Sequence, residues 1–190
     1  MSSTKQTPFI NGDNLDLYPL NSDHVYLYSK WENNPEVRRY ARTWLPVSIQ
    51  ESKKYLKPSE GGAPERIMFE IHYKKDNKPV GYCEIGDFDW FDRRAYIGFL
   101  IGETEYWGKN ICSEAVKLLV EYCFSELNLF KITAETLVPN IASKRCLEKN
   151  GFKIEGKVKK EMYVDGEFLD ILKLCMFKDD WLINKNKANR

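Results

Sequence analysis

One stretch of this chain, Tyr96–Phe124, constrains the fold more than any other. It begins as a short apolar run, passes through a polar turn at Gly108 and continues from Ile111 with apolar residues at helical spacing. A strand that enters a helix through a glycine-containing turn leaves several backbone N–H groups without intrahelical partners. Such a turn suits a phosphate or pyrophosphate. An ordinary strand-to-helix connection, capped by Asn110 or Ser113 and by water, fits the stretch equally well.

The charge balance and the length limit the partners and the size of the fold. The 29 lysines and arginines and 28 aspartates and glutamates give a net charge of +1, so no global field attracts nucleic acid or an anionic membrane. The 190 residues suit one domain. We expect this domain to cover residues 1–183 and a disordered tail to cover residues 184–190.

The cysteines and histidines predict neither a disulfide nor a metal site. The five cysteines lack Cys-x-x-Cys spacing and lie in apolar periodic segments, where cysteine behaves as a small hydrophobic residue. His24 and His72 are isolated from each other in the sequence. The N-terminal residues are polar, and no run of about 18 apolar residues occurs. We therefore expect a soluble cytoplasmic protein.

The order of the predicted elements indicates an α+β fold, layered α/β/α, with helices on both faces of a mixed and mostly antiparallel sheet of about seven strands. Predicted strands cover residues 14–20, 67–73, 79–86, 93–102, 131–138, 152–163 and 168–177. Predicted helices cover residues 25–31, 36–41, 48–56, 111–127 and 140–150.

A series of motifs gives this pattern a family resemblance. The motifs are Glu105–Ala115, Pro139–Ser143, Leu147–Phe152, Glu155–Gly156 and Tyr163–Gly166. Their order and spacing resemble the GNAT superfamily of acyl-CoA N-acyltransferases, and most of all the RimJ/RimL branch, which also includes polyamine acetyltransferases. The resemblance extends from Leu15 to Trp181. It implies the GNAT fold and transfer of acetyl from acetyl-CoA, the co-substrate, to a primary amine.

The resemblance assigns the pyrophosphate of acetyl-CoA to the turn and helix start described first. The family pattern is Gln or Arg, two residues, Gly, one residue, and Gly or Ala. Here Glu105 occupies the first position, Gly108 matches, and Asn110 replaces the second glycine. Asparagine tolerates left-handed backbone angles, so the turn is expected to persist. The cofactor-binding residues implied in this segment are Gly108, Lys109, Asn110, Ile111, Cys112 and Ser113.

The same resemblance implies where the pantetheine arm lies. The strands that begin near Tyr96 and at Lys131 are expected to run parallel and splay apart, with the arm filling the gap. Backbone groups of Leu100 and Ile101 would pair with its amides. One such N–H would also stabilise the thioester oxyanion. Two ordinarily paired strands are the alternative.

Asn140 and Ser143 match the family's Asn-x-x-Ser motif. In the family this Asn contacts the pantetheine, and a hydroxyl at the Ser143 position approaches the sulfur and protonates the departing thiolate. From the residues alone, Asn140 is a good helix N-cap. Many relatives use a tyrosine for the protonation step, at the position that Leu147 occupies here.

The general base is less well marked. Direct attack needs a neutral amine, and a carboxylate, usually through a water molecule, can take its proton. Relatives often carry Glu at the position of Tyr96, so Glu84, Glu135 and Glu161 remain as candidates. We select Glu84, which resembles an acidic residue of the polyamine branch and shares a strand face with Tyr82. Each of these glutamates also fits a solvated surface position.

Acidic and aromatic residues alternate just after Glu84, at Asp87, Phe88, Asp89, Trp90, Phe91 and Asp92. Such a rim suits a cationic amine, although a solvated acidic loop has the same composition.

The sequence therefore predicts an N-acetyltransferase that transfers acetyl directly in a ternary complex, with Cys112 structural rather than nucleophilic. A small amine or polyamine ranks ahead of a protein N-terminus or an antibiotic amine as acceptor. The alternative is a non-catalytic acyl-CoA-binding or amine-sensing module, since Tyr96, Asn110 and Leu147 depart from the catalytic pattern. A homodimer is among the expected assemblies.

Overall fold

The structure is a computed structural model that describes residues 6–41, 43–57 and 61–188. Its strands are β1 (Ile10–Asn11), β2 (Leu15–Pro19), β3 (Arg66–Tyr73), β4 (Lys78–Asp89), β5 (Arg94–Ile101), β6 (Lys131–Leu137), β7 (Lys153–Val164) and β8 (Glu167–Phe177). Its helices are α1 (Val25–Asn33), α2 (Pro35–Ala41), α3 (Ile49–Ser52), α4 (Ile111–Ser125), α5 (Ile141–Lys149) and α6 (Lys178–Ala188). Short 3₁₀ turns cover Ser22–His24, Lys53–Leu56 and Thr104–Tyr106.

The strands of the described residues form one eight-stranded sheet in the order β1-β2-β3-β4-β5-β6-β8-β7. The β5–β6 pair is parallel, whereas β2–β3, β6–β8 and β7–β8 are antiparallel. The predicted α+β fold with a mixed sheet is thereby confirmed. The strand that the sequence did not predict is β1, which has two residues.

The parallel pairing of β5 with β6 is short. It joins Arg94–Tyr96 to Lys131–Thr133, although β5 continues to Ile101 and β6 to Leu137. On its other edge, β6 pairs with β8 along its whole length. The parallel direction is as predicted.

The chain divides into two compact units. Unit 1 comprises the described residues up to Ala63 together with Ile67–Glu84 and Phe99–Ala115. Its core gathers Val25, Tyr28, Trp31, Val37 and Leu100. Trp31 is fully buried, which confirms its predicted core position, while Trp44 is 66% exposed. A capping box between Ser48 and Glu51 begins α3, so the predicted helix at Ser48 forms.

Unit 2 comprises Pro64–Arg66, Ile85–Gly98 and the described residues from Val116 onward. Leu137, Met162 and Ile171 form one of its apolar clusters. It also contains most of α4, whose inward side is buried as the apolar spacing predicted. The buried residues of α4 are Ile111, Ser113, Ala115, Val116, Leu119, Val120, Cys123 and Phe124, of which the first three belong to unit 1.

The C-terminal segment differs from its prediction. The sequence predicts disorder over residues 184–190, but α6 continues through Ala188. Trp181 packs on Phe124 with ring centroids 5.5 Å apart, and Lys185 pairs with Glu121. These contacts with α4 hold a helix that its polar composition alone does not predict. Residues 189–190, like the polar residues 1–5, lie outside the described residues, and the prediction of a single domain stays a prediction.

No helix among the described residues is both long enough and apolar enough to cross a membrane.

Candidate functional site

The turn before α4 has the backbone shape expected of an anion-binding turn. Gly108 has φ +75° and Asn110 has φ 62°, so both residues adopt the left-handed conformation. The Asn110 carbonyl accepts the N–H of Glu114 at 3.2 Å, and the helix begins at Ile111. The N–H groups of a first helical turn point out of the N-terminal end and carry partial positive charge. The prediction that asparagine preserves this turn agrees with the structure.

Two lysine side chains beside the turn lie over the same aromatic ring, that of Tyr106. The ammonium groups of Lys109 and Lys78 lie 4.4 Å and 4.9 Å from the ring centroid of Tyr106. Tyr106 is buried, and its hydroxyl donates to Asp76 at 2.6 Å, which fixes the ring. Positive charge is thus concentrated beside the turn, where a pyrophosphate would need it.

Lys78 also neutralises the acid that replaces the family's Gln or Arg. Its ammonium lies 3.4 Å from Glu105. Burial alone would lower the pKa of Lys78, but hydrogen bonds with Tyr106 and Glu105 outweigh it and raise the pKa. The sequence did not single out Lys78 or Tyr106, because Lys78 belongs to β4 and its approach to the turn depends on strand pairing.

The Leu100 carbonyl lies close to Gly81, and the Ile101 carbonyl has a hydrogen-bond partner within the protein. A Cβ on Gly81 would lie 2.1 Å from the Leu100 carbonyl oxygen, so only glycine allows β4 to approach this carbonyl. The Ile101 carbonyl accepts the indole N–H of Trp107 at 2.9 Å. The predicted pairing of these backbone groups with a pantetheine arm stays a prediction, and for the Ile101 carbonyl it would have to accommodate Trp107.

Glu84 belongs to a cluster of acidic and phenolic side chains in unit 1. Glu32 is 3% exposed and accepts the hydroxyl of Tyr82 at 2.8 Å and that of Tyr55 at 3.1 Å. The pKa of Tyr82 is raised well above its ordinary value, first by burial and then by the negative charges of Glu32 and Glu84. Tyr82 therefore stays protonated, with one carboxylate hydrogen-bonded to it and a second close enough to act through its charge. The sequence analysis selects Glu84 as a candidate and does not select Glu32, whose helical position resembles that of a surface residue.

The Asn-x-x-Ser residues lie at the start of α5 in unit 2. The side-chain oxygen of Asn140 accepts the N–H of Ser143 at 3.1 Å, so Asn140 is the predicted N-cap. Ser143 is half-buried in the first turn. Leu147 is fully buried, which gives this position a packing role.

The other acidic candidates have nearby cations or are solvated. Glu135 lies 3.3 Å from the ammonium of Lys173, and Glu161 is exposed on β7. Asp89 accepts the N–H of Asp92 and the guanidinium of Arg94 at 2.9 Å, and these contacts lower its pKa. The acid-rich rim is therefore partly neutralised by Arg94.

All five cysteines are free thiols in the structure. Cys112 is half-buried in the first turn of α4, whereas Cys83, Cys123, Cys146 and Cys175 are buried. Burial raises the pKa of Cys123 far above its ordinary value, which makes that thiol unreactive.

The histidines are the main correction to the sequence interpretation. The sequence predicts that His24 and His72 are isolated, but the fold brings both to the buried carboxylate of Glu70. The β2–β3 pairing and the 3₁₀ turn before α1 create this proximity, which sequence distance conceals.

The chain is similar to known proteins along most of its length. The acetyltransferase (GNAT) domain family model matches residues 14–153. The spermidine N(1)-acetyltransferase of Escherichia coli K12 is 26% identical over 172 residues, which cover 88% of each chain. The putative ribosomal N-acetyltransferase YdaF of Bacillus subtilis is 32% identical over 106 residues, covering 56% of this chain and 57% of that protein.

Solved structures show the same fold. The crystal structure of the spermidine N-acetyltransferase from Vibrio cholerae in complex with CoA and spermine has a TM-score of 0.78 at 21% identity. The similarity covers 89% of this chain and 98% of that one.

Proposed function

Because the chain belongs to the acetyltransferase (GNAT) domain family, and is therefore an acetyl-CoA-dependent N-acetyltransferase, we propose that its acceptor is a polyamine. Within the family, the proposal assigns it to the RimJ/RimL-like branch. The similarity to spermidine N(1)-acetyltransferase over 88% of both chains supports this choice of acceptor.

The observation that carries the proposal is that two carboxylates, Glu32 and Glu84, both act on Tyr82. Glu32 accepts the Tyr82 hydroxyl at 2.8 Å, and Glu84 follows two residues later on the same face of β4. Both acids raise the pKa of Tyr82 through their charge. A polyamine carries several ammonium groups, so a site with more than one carboxylate favours it over a monoamine.

Glu84 is the proposed general base. A lysine-like ammonium has a pKa near 10.4 and must lose a proton before nitrogen can attack the thioester carbonyl. A half-buried carboxylate can bind the ammonium and accept this proton directly or through water. The hydroxyl groups of Tyr55 and Tyr82 keep Glu32 in place, which suits a role in binding charge rather than in proton transfer.

The cofactor is proposed to bind at the start of α4. Its pyrophosphate would meet the N–H groups of Asn110, Ile111, Cys112 and Ser113 and the ammonium of Lys109. After the amine attacks, the C–S bond breaks and the thiolate takes a proton. Ser143 is the proposed donor of that proton, a role that its half-buried hydroxyl permits.

Steady-state kinetics with a panel of acceptors tests the proposal. We expect spermidine and spermine to have kcat/KM values at least about tenfold above butylamine and above N-terminal peptides, since each additional ammonium–carboxylate contact contributes about 1 kcal/mol or more. A preference for one peptide would overturn the polyamine assignment. Binding of acetyl-CoA without turnover of any acceptor would favour the non-catalytic alternative.

Site variants then test the residues. Glu84→Gln should reduce kcat/KM for spermidine by about 100-fold or more. Glu161→Gln, an exposed acid of β7, is the matched control and should behave as wild type. Equal kcat/KM values for the two variants would show that Glu84 is not the general base. The family assignment would be unchanged.

A further inference from the structure

Unit 1 contains a polar cluster that the acetyl transfer does not use. Glu70, in the middle of β3, is fully buried. The side chains of His24 and His72 lie on either side of its carboxylate and are 26% and 17% exposed. Their three ligand atoms all lie within 4.8 Å of one another. The cluster thus combines a buried acid with two imidazoles that solvent can reach.

The contacts of Glu70 place imidazole nitrogens at its lone pairs. Nε2 of His72 lies 2.6 Å from Oε2 of Glu70, and Nδ1 of His24 lies 3.0 Å from both carboxylate oxygens. In this arrangement the imidazole N–H groups donate hydrogen bonds to the carboxylate. The same two ring nitrogens can coordinate a metal ion once their protons are released to solvent or moved to the other nitrogen of each ring.

The spacing is close to that of a metal centre. Zinc–nitrogen and zinc–oxygen bonds are about 2.0–2.2 Å long, which places neighbouring ligand atoms about 2.9–3.5 Å apart. The two imidazole–carboxylate separations, 2.6 Å and 3.0 Å, require movements of a few tenths of an ångström to reach this range. The two imidazole nitrogens lie within 4.8 Å of each other, so a shared ion also requires the rings to approach each other where this distance exceeds the range.

A supporting shell holds the three ligand residues. The hydroxyl of Tyr28 donates to Oε1 of Glu70, and the N–H of Asn21 donates to the same oxygen at 3.3 Å. The ring of Tyr18 packs on His72 with centroids 4.3 Å apart. Hydrogen bonds and packing of this kind orient the ligands of metal sites and are not needed by a surface ion pair.

We propose that His24, Glu70 and His72 form a binding site for a divalent transition-metal ion of the zinc class. His24 contributes Nδ1, His72 contributes Nε2 and Glu70 contributes a carboxylate oxygen, while water completes the coordination on the exposed side. Two imidazoles and one carboxylate are a donor set that suits zinc, cobalt and nickel. The ion would fasten the start of α1 to β3, so its role is structural and independent of the acceptor.

Imidazole NMR of the full chain, purified without a histidine tag and freed of metal by chelation, tests the site. The chain contains two histidines, so its imidazole spectrum consists of two ring systems. We expect one equivalent of Zn²⁺ to shift both sets of ring signals together and to raise the unfolding temperature. A shift of one histidine, or of neither, at one equivalent would overturn the proposal.

Single-residue variants distinguish Zn²⁺ binding by His24, Glu70 and His72 from binding by other side chains. His72→Gln and His24→Asn keep an amide donor for Glu70 but remove an imidazole, and each should weaken Zn²⁺ binding by at least about tenfold. Cys112→Ser is the matched control and should bind Zn²⁺ as wild type does, because Cys112 is the half-buried cysteine that competes for metal. The Co²⁺ complex should lack thiolate charge-transfer absorption. Unchanged affinity in both histidine variants would contradict the site, and the wild-type spectrum decides the matter if a variant fails to fold.

Discussion

Gly102 lies directly against the indole ring of Trp31. A Cβ added to Gly102 would come within 2.0 Å of Trp31 Cγ, and within 2.4 Å of the two neighbouring ring carbons. Trp31 cannot move away easily, because it is fully buried and its indole N–H donates to Glu103 at 2.8 Å. The absence of a side chain at Gly102, just after β5, is therefore a condition for packing α1 in unit 1.

We expect Gly102→Ala to destabilise the protein by about 1–3 kcal/mol, the usual cost of inserting a methyl group into a packed core. Urea denaturation of the purified variant measures this loss. Gly156→Ala is the control, because a Cβ at Gly156 meets no atom within 4 Å. Equal urea midpoints for the two variants would show that α1 shifts to accommodate the added methyl group without loss of stability.

Helices and strands could be predicted from the sequence where the local residue pattern determines them. Contacts between residues far apart in the chain could not be predicted. The apolar spacing of α4 and the turn at Gly108 follow from neighbouring residues, and the structure has both. The Glu70 cluster depends on the pairing of β2 with β3, which sequence spacing does not reveal. The helix α6 likewise depends on the packing of Trp181 against Phe124, so composition alone gave the wrong prediction.

The carboxylate of Glu114 should make stability depend on acid pH. It accepts the backbone N–H of Asn14 at 2.7 Å and the side-chain amide of Asn14 at 3.0 Å, which ties α4 to the start of β2. Burial alone would raise its pKa, but these hydrogen bonds outweigh it and lower the pKa below the ordinary 4.5. A lowered pKa means that the ionised group stabilises the fold above pH 4.5 and that this contribution is lost as the pH falls through the folded-state pKa.

Glu114→Gln should therefore lower the free energy of unfolding by about 1 kcal/mol at neutral pH. The difference from wild type should shrink as the pH falls below 4.5. Denaturant titrations at a series of pH values measure both effects. Glu126→Gln, which changes an exposed acid just after α4, should leave the pH profile unaltered. A constant difference at all pH values would mean that Glu114 acts through packing rather than charge.

Direct transfer predicts that no acetylated enzyme accumulates. Cys112 is the one thiol near a helix N-terminus that is not buried, so it is the residue on which an acetyl-cysteine intermediate would form. Intact mass spectrometry after incubation with acetyl-CoA and no acceptor should show the unmodified chain. Cys112→Ala should still transfer acetyl to the amine. A folded but inactive variant would instead favour a covalent intermediate.

Alanine substitutions at Gly108 and Gly166 separate the effect of backbone strain on stability from the effect of the turn on acetyl-CoA binding. Both have positive φ, +75° and +92°, and a Cβ at either would meet no atom within 4 Å. Alanine at either position should cost about 1–2 kcal/mol of backbone strain. We expect Gly108→Ala to weaken acetyl-CoA binding in isothermal titration and Gly166→Ala, in the β7–β8 hairpin, to leave it unchanged. Equal acetyl-CoA affinities of the two variants would show that the turn at Gly108 does not contribute to cofactor binding.

Asn110 provides the opposite test, because the substitution restores the family's glycine. Its φ of 62° is one that glycine adopts without the steric cost that a Cβ imposes. Removal of the side chain also clears the path by which a pyrophosphate approaches the first turn of α4. We therefore expect Asn110→Gly to tighten acetyl-CoA binding by a few fold in isothermal titration.

The control for Asn110 is Asn128→Gly, between α4 and β6. Asn128 has φ 53°, so the substitution relieves similar strain at a residue with no proposed cofactor contact. Weaker binding by Asn110→Gly alone would show that the asparagine side chain itself contributes to binding, either by holding the turn or by contacting the cofactor. The departure from the family pattern at this position would then be an adaptation of the cofactor site rather than a tolerated defect.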